Sequence, residues 1–278
     1  QANFYIAQRV GSILENDSQR GLAHFLEHMC FNGTKNFPGN RVIKYCESIG
    51  VKFGADLNAY TSIDETVYNI DNVPVATVPS AVDSCLWILH DWADGLLLTD
   101  EDIDHERGVI HEEWRTRMNA QMRMYEKILP ALYPDGNRYG HRLPIGTMEV
   151  VDNFPYKVLR DYYEEWYRPD QQGVVVVGDI NVDEVEAKIK EIFGTIATPV
   201  NPSVREYVQI PDNAEPIVAL ATDKEQPYAM AYIFCKHDAI PDAAKGNLDY
   251  LVYDFARDMI DQMMAQRILE LSQLPQPP

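Results

Sequence analysis

The chain has 278 residues, 46% hydrophobic and 24% charged, which is enough to bury one complete domain and part or all of another. Lys and Arg number 24 against 43 Asp and Glu, and the net charge of −19 argues against a phosphate backbone as partner. Cys30, Cys46, Cys85 and Cys235 show no C-x-x-C pairing and read as small buried hydrophobes. No run is apolar for long enough to cross a bilayer, and the opening residues lack the charged start and apolar stretch of a signal peptide.

Residues 4 to 15 alternate as a strand does, and Gly21 opens an apolar helical segment through Met29. Residues 32–39 form a loop, and a helix from Asn40 to Ser48 stops at Gly50. Val51 to Ser62 and Glu65 to Ile70 read as two short strands with a turn at Ile63 and Asp64. Pro79 to Leu97 is amphipathic and helical. Thr99, followed by acidic residues, caps a long helix expected to run to about Met124.

A helix at Tyr156 to Tyr167 is closed by Arg168 and Pro169. Gly173 to Asp179 reads as a buried strand from its β-branched run, and Asp183 to Phe193 as a helix. The order is mixed α+β rather than strict β-α alternation. Four prolines at 199, 202, 211 and 216 give the segment before Ile217 a linker composition. The expected organisation is a first domain over residues 1–198, a linker over 199–216 and the start of a second, similar domain over 217–278. That second domain is expected to have strands at Ile217 to Ala221 and Ala229 to Phe234, then a helix from Ala243 to Ser272. A chain that begins inside a strand and ends just after a helix reads as a fragment of a longer polypeptide.

His24 and His28 are four residues apart, about 40° around a helix, so both imidazoles can converge on one ion. Glu27 lies beside them, placed to take a proton from a water that the ion activates. The H-x-x-E-H order is the reverse of the familiar H-E-x-x-H zinc motif. A third ligand is needed, and the helix carrying Glu101, Glu106, Glu112 and Glu113 is its best source. Glu106 and Glu113 are seven apart, about 20° around a helix, whereas Glu112 points roughly 100° away. This spacing favours Glu113 as ligand and Glu106 as a hydrogen-bond partner of a ligating histidine, with Glu112 the alternative to Glu113. A solvated acidic helix face is the plainer account of such a run, and only the histidine pair argues against it.

Taken together these motifs resemble the pitrilysin and insulinase family of zinc peptidases, which includes mitochondrial processing peptidase, and its bacterial members most of all. The matching pieces are Gly21 to Met29, Phe31-Asn32-Gly33-Thr34, Asn58 to Ser62, Glu65 to Tyr68 and Glu106 to Glu113. Tyr163, Tyr167-Arg168-Pro169 and Val174 to Gly178 extend the likeness through the first domain. The resemblance implies a largely antiparallel sheet packed with helices, and one Zn2+ held by His24, His28 and Glu113. It also implies Glu27 as base, Glu106 as support, and an edge strand at Asn58 and Ala59 that pairs with an extended peptide. A second, peptidase-like domain or a partner subunit would close over the first and contribute an arginine and a tyrosine.

The gap from His28 to Glu113 is longer than the family pattern suggests and implies an insertion between the two ligand helices. Cys30, His90, His105, His141 and His237 are expected in packing or surface roles, His111 on a face away from the ligands, and Trp87, Trp92 and Trp114 in the core. The expected activity is zinc-dependent cleavage of extended or unfolded peptides, with a fragment alone binding zinc but cleaving poorly. The rivals are a noncatalytic peptide-binding or assembly subunit, and a structural metal site with four protein ligands. A periplasmic or envelope location follows only from the resemblance.

Overall fold

A computed structural model describes residues 1–133, 135–234, 236 and 240–275. Contacts divide them into two units, residues 1–229 and 230–278. In the first unit, strand β1 (Ala2–Gln8) turns Ala2, Phe4, Ile6 and Gln8 into the core, as period-2 alternation requires. It pairs antiparallel with β3 (Thr66–Val73) on one side and β4 (Gln172–Gly178) on the other. β2 (Leu57–Thr61) adds outside β3, giving a four-stranded antiparallel sheet in the order β2-β3-β1-β4. The mixed architecture with an antiparallel sheet agrees with expectation.

Three expectations for strands need correction. The first strand ends at Gln8, and residues 12–14 form a 3-10 turn. A Cβ on Gly11 would lie 2.4 Å from the Ile63 carbonyl oxygen, so the chain bends away there against the β2–β3 turn. β4 is an edge strand: Val174 and Val176 pack on the core, but Val175 and Val177 are 50% and 58% exposed. A run of valines has the same appearance whether one face or both are covered. Residues 217–221 and 229–234 are not strands, because no partner strand within the described residues pairs with them.

The helices are α1 (Leu22–Met29), α2 (Arg41–Ser48), α3 (Ala81–Asp94), α4 (Asp100–Arg117) and α5 (Ala120–Leu132), followed by α6 (Met148–Asn153), α7 (Tyr156–Trp166) and α8 (Val182–Phe193). The single helix expected from Thr99 to Met124 is two. Asn119, in extended conformation, accepts the Met122 N–H and starts α5 afresh. Cys30, Cys46 and Cys85 are buried as expected, while Cys235 and His237 lie outside the described residues. Trp92 is buried and donates to the Cys30 carbonyl at 2.8 Å, but Trp87 is partly exposed and Trp114 lines a cleft rather than the core.

Residues 199–229, the last part of the first unit, carry no regular secondary structure but are tied to the rest of that unit. Arg168 donates to the Ser203 carbonyl at 2.6 Å, Asn137 to the Gln209 carbonyl at 2.8 Å, and Arg123 makes a two-armed contact with Asp223 at 2.7 and 2.8 Å. The second unit contains a 3-10 turn at Asp242–Ala244 and the helix α9 (Leu248–Ser272), none of whose residues is buried. Among the described residues no helix is long and apolar enough to cross a membrane.

Candidate metal centre

α1 enters the core at a point fixed by two glycines. Gly21 has φ of +108° and Gly146 of +68°, and a Cβ on Gly146 would sit 2.3 Å from the Arg20 carbonyl oxygen and 2.4 Å from Gly21 Cα. Only residues without a side chain tolerate both the backbone angles and the approach. The unpaired N–H groups at the start of α1 find a buried carboxylate: Glu15 accepts from Gly21 at 3.0 Å and from Ala23 at 2.9 Å. Burial pushes the Glu15 carboxyl up to about 8, against the pull of those two N–H groups and of Arg142 and Arg20. Sequence reasoning missed this residue, which is six positions ahead of the N-cap Gly21.

α4 supplies the other half. Its buried stripe is Ile103, Glu106 and Ile110, an i, i+3, i+7 series whose next member is Glu113. Both acids therefore stand on the side that packs, where apolar residues would ordinarily lie. Glu112 instead points outward to Arg115 at 2.7 Å. Glu113 Oε2 lies 3.4 Å from His24 Nε2 and 3.2 Å from His28 Nε2, so Glu113, not Glu112, meets the rings. Its other oxygen, Oε1, contacts Arg117 at 2.7 Å, so each carboxylate oxygen has its own neighbour.

Glu106 accepts from His28 Nδ1 at 2.7 Å and from Asn32 Nδ2 at 2.5 Å. This bond fixes the ring with Nε2 toward Glu113. Burial disfavours a charge on His28, yet its contacts with Glu106 and Glu113 outweigh that and raise it to about 9. Burial likewise acts to raise Glu113 and Glu106, but the histidines hold Glu113 well below the ordinary carboxylate range, and His28 and Asn32 hold Glu106 below it.

The arrangement fits zinc. Zinc bonds of about 2.0–2.2 Å in a tetrahedron separate neighbouring donors by roughly 3.4 Å, which is the spacing found between Glu113 Oε2 and each ring nitrogen. The three donor atoms all lie within 4.8 Å of one another. Glu113 Oε2 is buried and makes no hydrogen bond of ordinary geometry, as expected of an oxygen kept for a cation. Among the described residues this is the one group of three or more His, Cys, Asp or Glu side chains with such convergence. His24 Nδ1 is also buried without a hydrogen-bond partner.

Glu27 accepts a hydrogen bond from the Thr61 hydroxyl at the end of β2, a contact the sequence did not suggest. Glu27, both histidines, Glu106 and Glu113 line a cleft of about 610 Å3. Asn58, Ala59, Tyr60 and Thr61 of the edge strand form one border, and Trp114, Met118, Met122 and Leu143 to Ile145 form an apolar wall. Asn58 and Ala59 therefore stand beside the metal cluster, with the Asn58 Oδ1 atom accepting the Ala59 N–H at 2.9 Å. His111 lies apart from the rings and pairs with Asp152 at 2.9 Å.

A model of the insulinase family, peptidase family M16, matches residues 2–143, just over half of the chain. The chain belongs to the insulinase family. The inactive domain of the same family matches residues 153–270. Among insulinase relatives, the chain is 41% identical over 191 residues to a probable zinc protease PqqL of Escherichia coli, covering 69% of this chain and 20% of that one. It is 39% identical over 183 residues to the PqqL of Haemophilus influenzae, covering 65% and 19%. It thus spans about a fifth of the length of these relatives. The crystal structure of the first half of the periplasmic protease PqqL from Escherichia coli superposes with a TM-score of 0.69 at 38% identity, over 77% of this chain and 44% of that one. Pitrilysin, at 21% identity and a TM-score of 0.60 over 78% of this chain and 22% of that one, shares the fold.

Proposed function

We propose that this chain carries the zinc-binding, catalytic part of an endopeptidase that cleaves extended or unfolded polypeptides. The observation that carries the reading is the convergence of His24, His28 and Glu113 in a cleft that also holds Glu27 and is bordered by the edge of β2 that no described strand covers. Zinc bound by these three residues would supply Lewis acidity, lowering the pKa of water toward neutrality and polarising a peptide carbonyl. Glu27 accepts the proton that water gives up and returns it to the departing amine. Glu106 keeps His28 in the tautomer that presents Nε2.

The substrate backbone adds to β2 by strand pairing, which gives affinity without demanding a particular sequence. The Ala59 N–H would then pass from the Asn58 side chain to a substrate carbonyl, and the freed Asn58 amide holds the carbonyl near the scissile bond. In this reading residues 1–198 form the catalytic domain, 199–216 a linker and 217–278 the opening of the inactive domain. That domain, or a partner subunit, completes the chamber. A periplasmic site of action is supported by the PqqL likeness. Three converging protein donors, rather than four, favour a catalytic over a structural metal site.

The test is Glu27→Gln in the full-length protein, followed with a mixed peptide library and metal analysis. Zinc should stay at one per chain while hydrolysis falls by about 10²- to 10⁴-fold. Undiminished cleavage would remove Glu27 from its role.

A further inference from the structure

We infer that Thr61 is a positioning residue that couples pairing of the substrate on β2 to the orientation of Glu27. This inference rests on the peptidase reading above. Thr61 is the last residue of the edge strand, two positions beyond Ala59 and on the same face. Its hydroxyl donates to Glu27 Oε2. Directly across the ladder stands Thr66, whose hydroxyl oxygen is 3.4 Å from that of Thr61 and 2.9 Å from the buried Val10 carbonyl oxygen. The Thr61 hydroxyl is closer to Glu27 Oε2 than to the Thr66 oxygen, so its single proton goes to the carboxylate, while Thr66 gives its own to Val10.

One oxygen of Glu27 is thereby held by the strand, and the other is left to exchange a proton with the reaction. Beyond Leu57, which bridges to Phe53, β2 has a ladder neighbour on one side only among the described residues. A peptide added at Asn58 and Ala59 supplies the second neighbour and restrains the strand, and Thr61 with it. The base is then held most firmly when a long substrate is in place. Binding energy from parts of the peptide remote from the scissile bond is expressed in kcat rather than in KM alone.

The experiment uses the full-length protein and two quenched peptides with the same scissile bond, one long enough to pair along β2 and one too short. Thr61→Val keeps the shape and removes the hydroxyl; Thr61→Ser restores it. On the long peptide Thr61→Val should lose roughly 10- to 100-fold in kcat, with KM, zinc content and melting temperature close to wild type. Thr61→Ser should return to within about threefold, and the short peptide should lose much less in Thr61→Val. Equal losses on both peptides, a Thr61→Ser variant as impaired as Thr61→Val, or an unimpaired Thr61→Val would each overturn the coupling. A wild type that holds zinc but cleaves neither peptide would instead remove the peptidase reading, and this inference with it.

Discussion

Zinc must displace a proton from His28, so its affinity should depend on pH in a defined way. In the metal-free chain the imidazole stands between Glu106 at Nδ1 and Glu113 at Nε2, and these contacts prevail over burial to raise its pKa to about 9. At pH 7 about one ring in a hundred is then neutral and able to offer Nε2 to a metal. Proton competition weakens apparent binding by about 100-fold relative to pH well above 9, or about 2.7 kcal/mol. Glu113 is held below the ordinary carboxylate range and brings no second proton near neutrality. Because the folded pKa lies above the ordinary 6.5, the stability that protonated His28 gives the free chain is fully present below that value. It is lost as pH rises through about 9. Zinc gains over the same interval. Chelator competition should show log Kd falling by about one per pH unit above neutrality and levelling off beyond pH of about 9. Calorimetry at neutral pH, in buffers of different ionisation enthalpy, should report about one proton released per zinc. A flat affinity across this range, with no proton released, would refute the placement of His28 between two carboxylates.

Replacing Glu106 by Gln tests the same contact from the other side. Above pH of about 9, where protons no longer compete, zinc affinity should fall about 10- to 100-fold because the ring loses its anionic partner. Near neutrality the loss should be smaller, since a His28 freed of Glu106 also yields its proton more easily; a larger loss there would contradict the argument. Glu15→Gln addresses the α1 cap. With a folded value of about 8 above the ordinary 4.5, the Glu15 contribution to stability is complete below 4.5 and is lost as pH rises through 8. Urea unfolding of the metal-free wild type should weaken over that interval more steeply than that of Glu15→Gln, and parallel slopes would show that Glu15 does not titrate with folding.

What the sequence made legible is what a helix encodes by spacing alone. His24, Glu27 and His28 lie on α1, and Glu106 and Glu113 on α4, where offsets of four and seven residues fix the face without knowledge of the fold. Local spacing cannot say how two helices approach, so the choice between Glu112 and Glu113 needed the packing of α4 against α1. Thr61 on Glu27, Glu15 under α1 and Arg117 on Glu113 were not foreseen. The first two depend on tertiary approach, and an Arg four residues from a Glu looks like any exposed helix pair. Strand errors have a related origin. Alternation and β-branching record which face is covered, not whether a partner strand exists, which is why β4 is expected to be buried and residues 217–221 and 229–234 are expected to pair.

The centre itself has a simple electrostatic logic. Glu27, Glu106 and Glu113 share one cleft with two imidazoles, and three carboxylates brought together repel unless a cation stands among them. In the free chain Arg117 meets Glu113 Oε1, and His28 stands between Glu106 and Glu113, whose contacts hold its proton far above the usual histidine range in spite of burial. A divalent ion can take over the charge that the proton supplied and bind Glu113 Oε2, whose hydrogen-bonding capacity is otherwise unfilled. Proton and metal thus compete for a single role, and the acidic surroundings that hold the proton on His28 are the same ones that favour a doubly charged ion in its place.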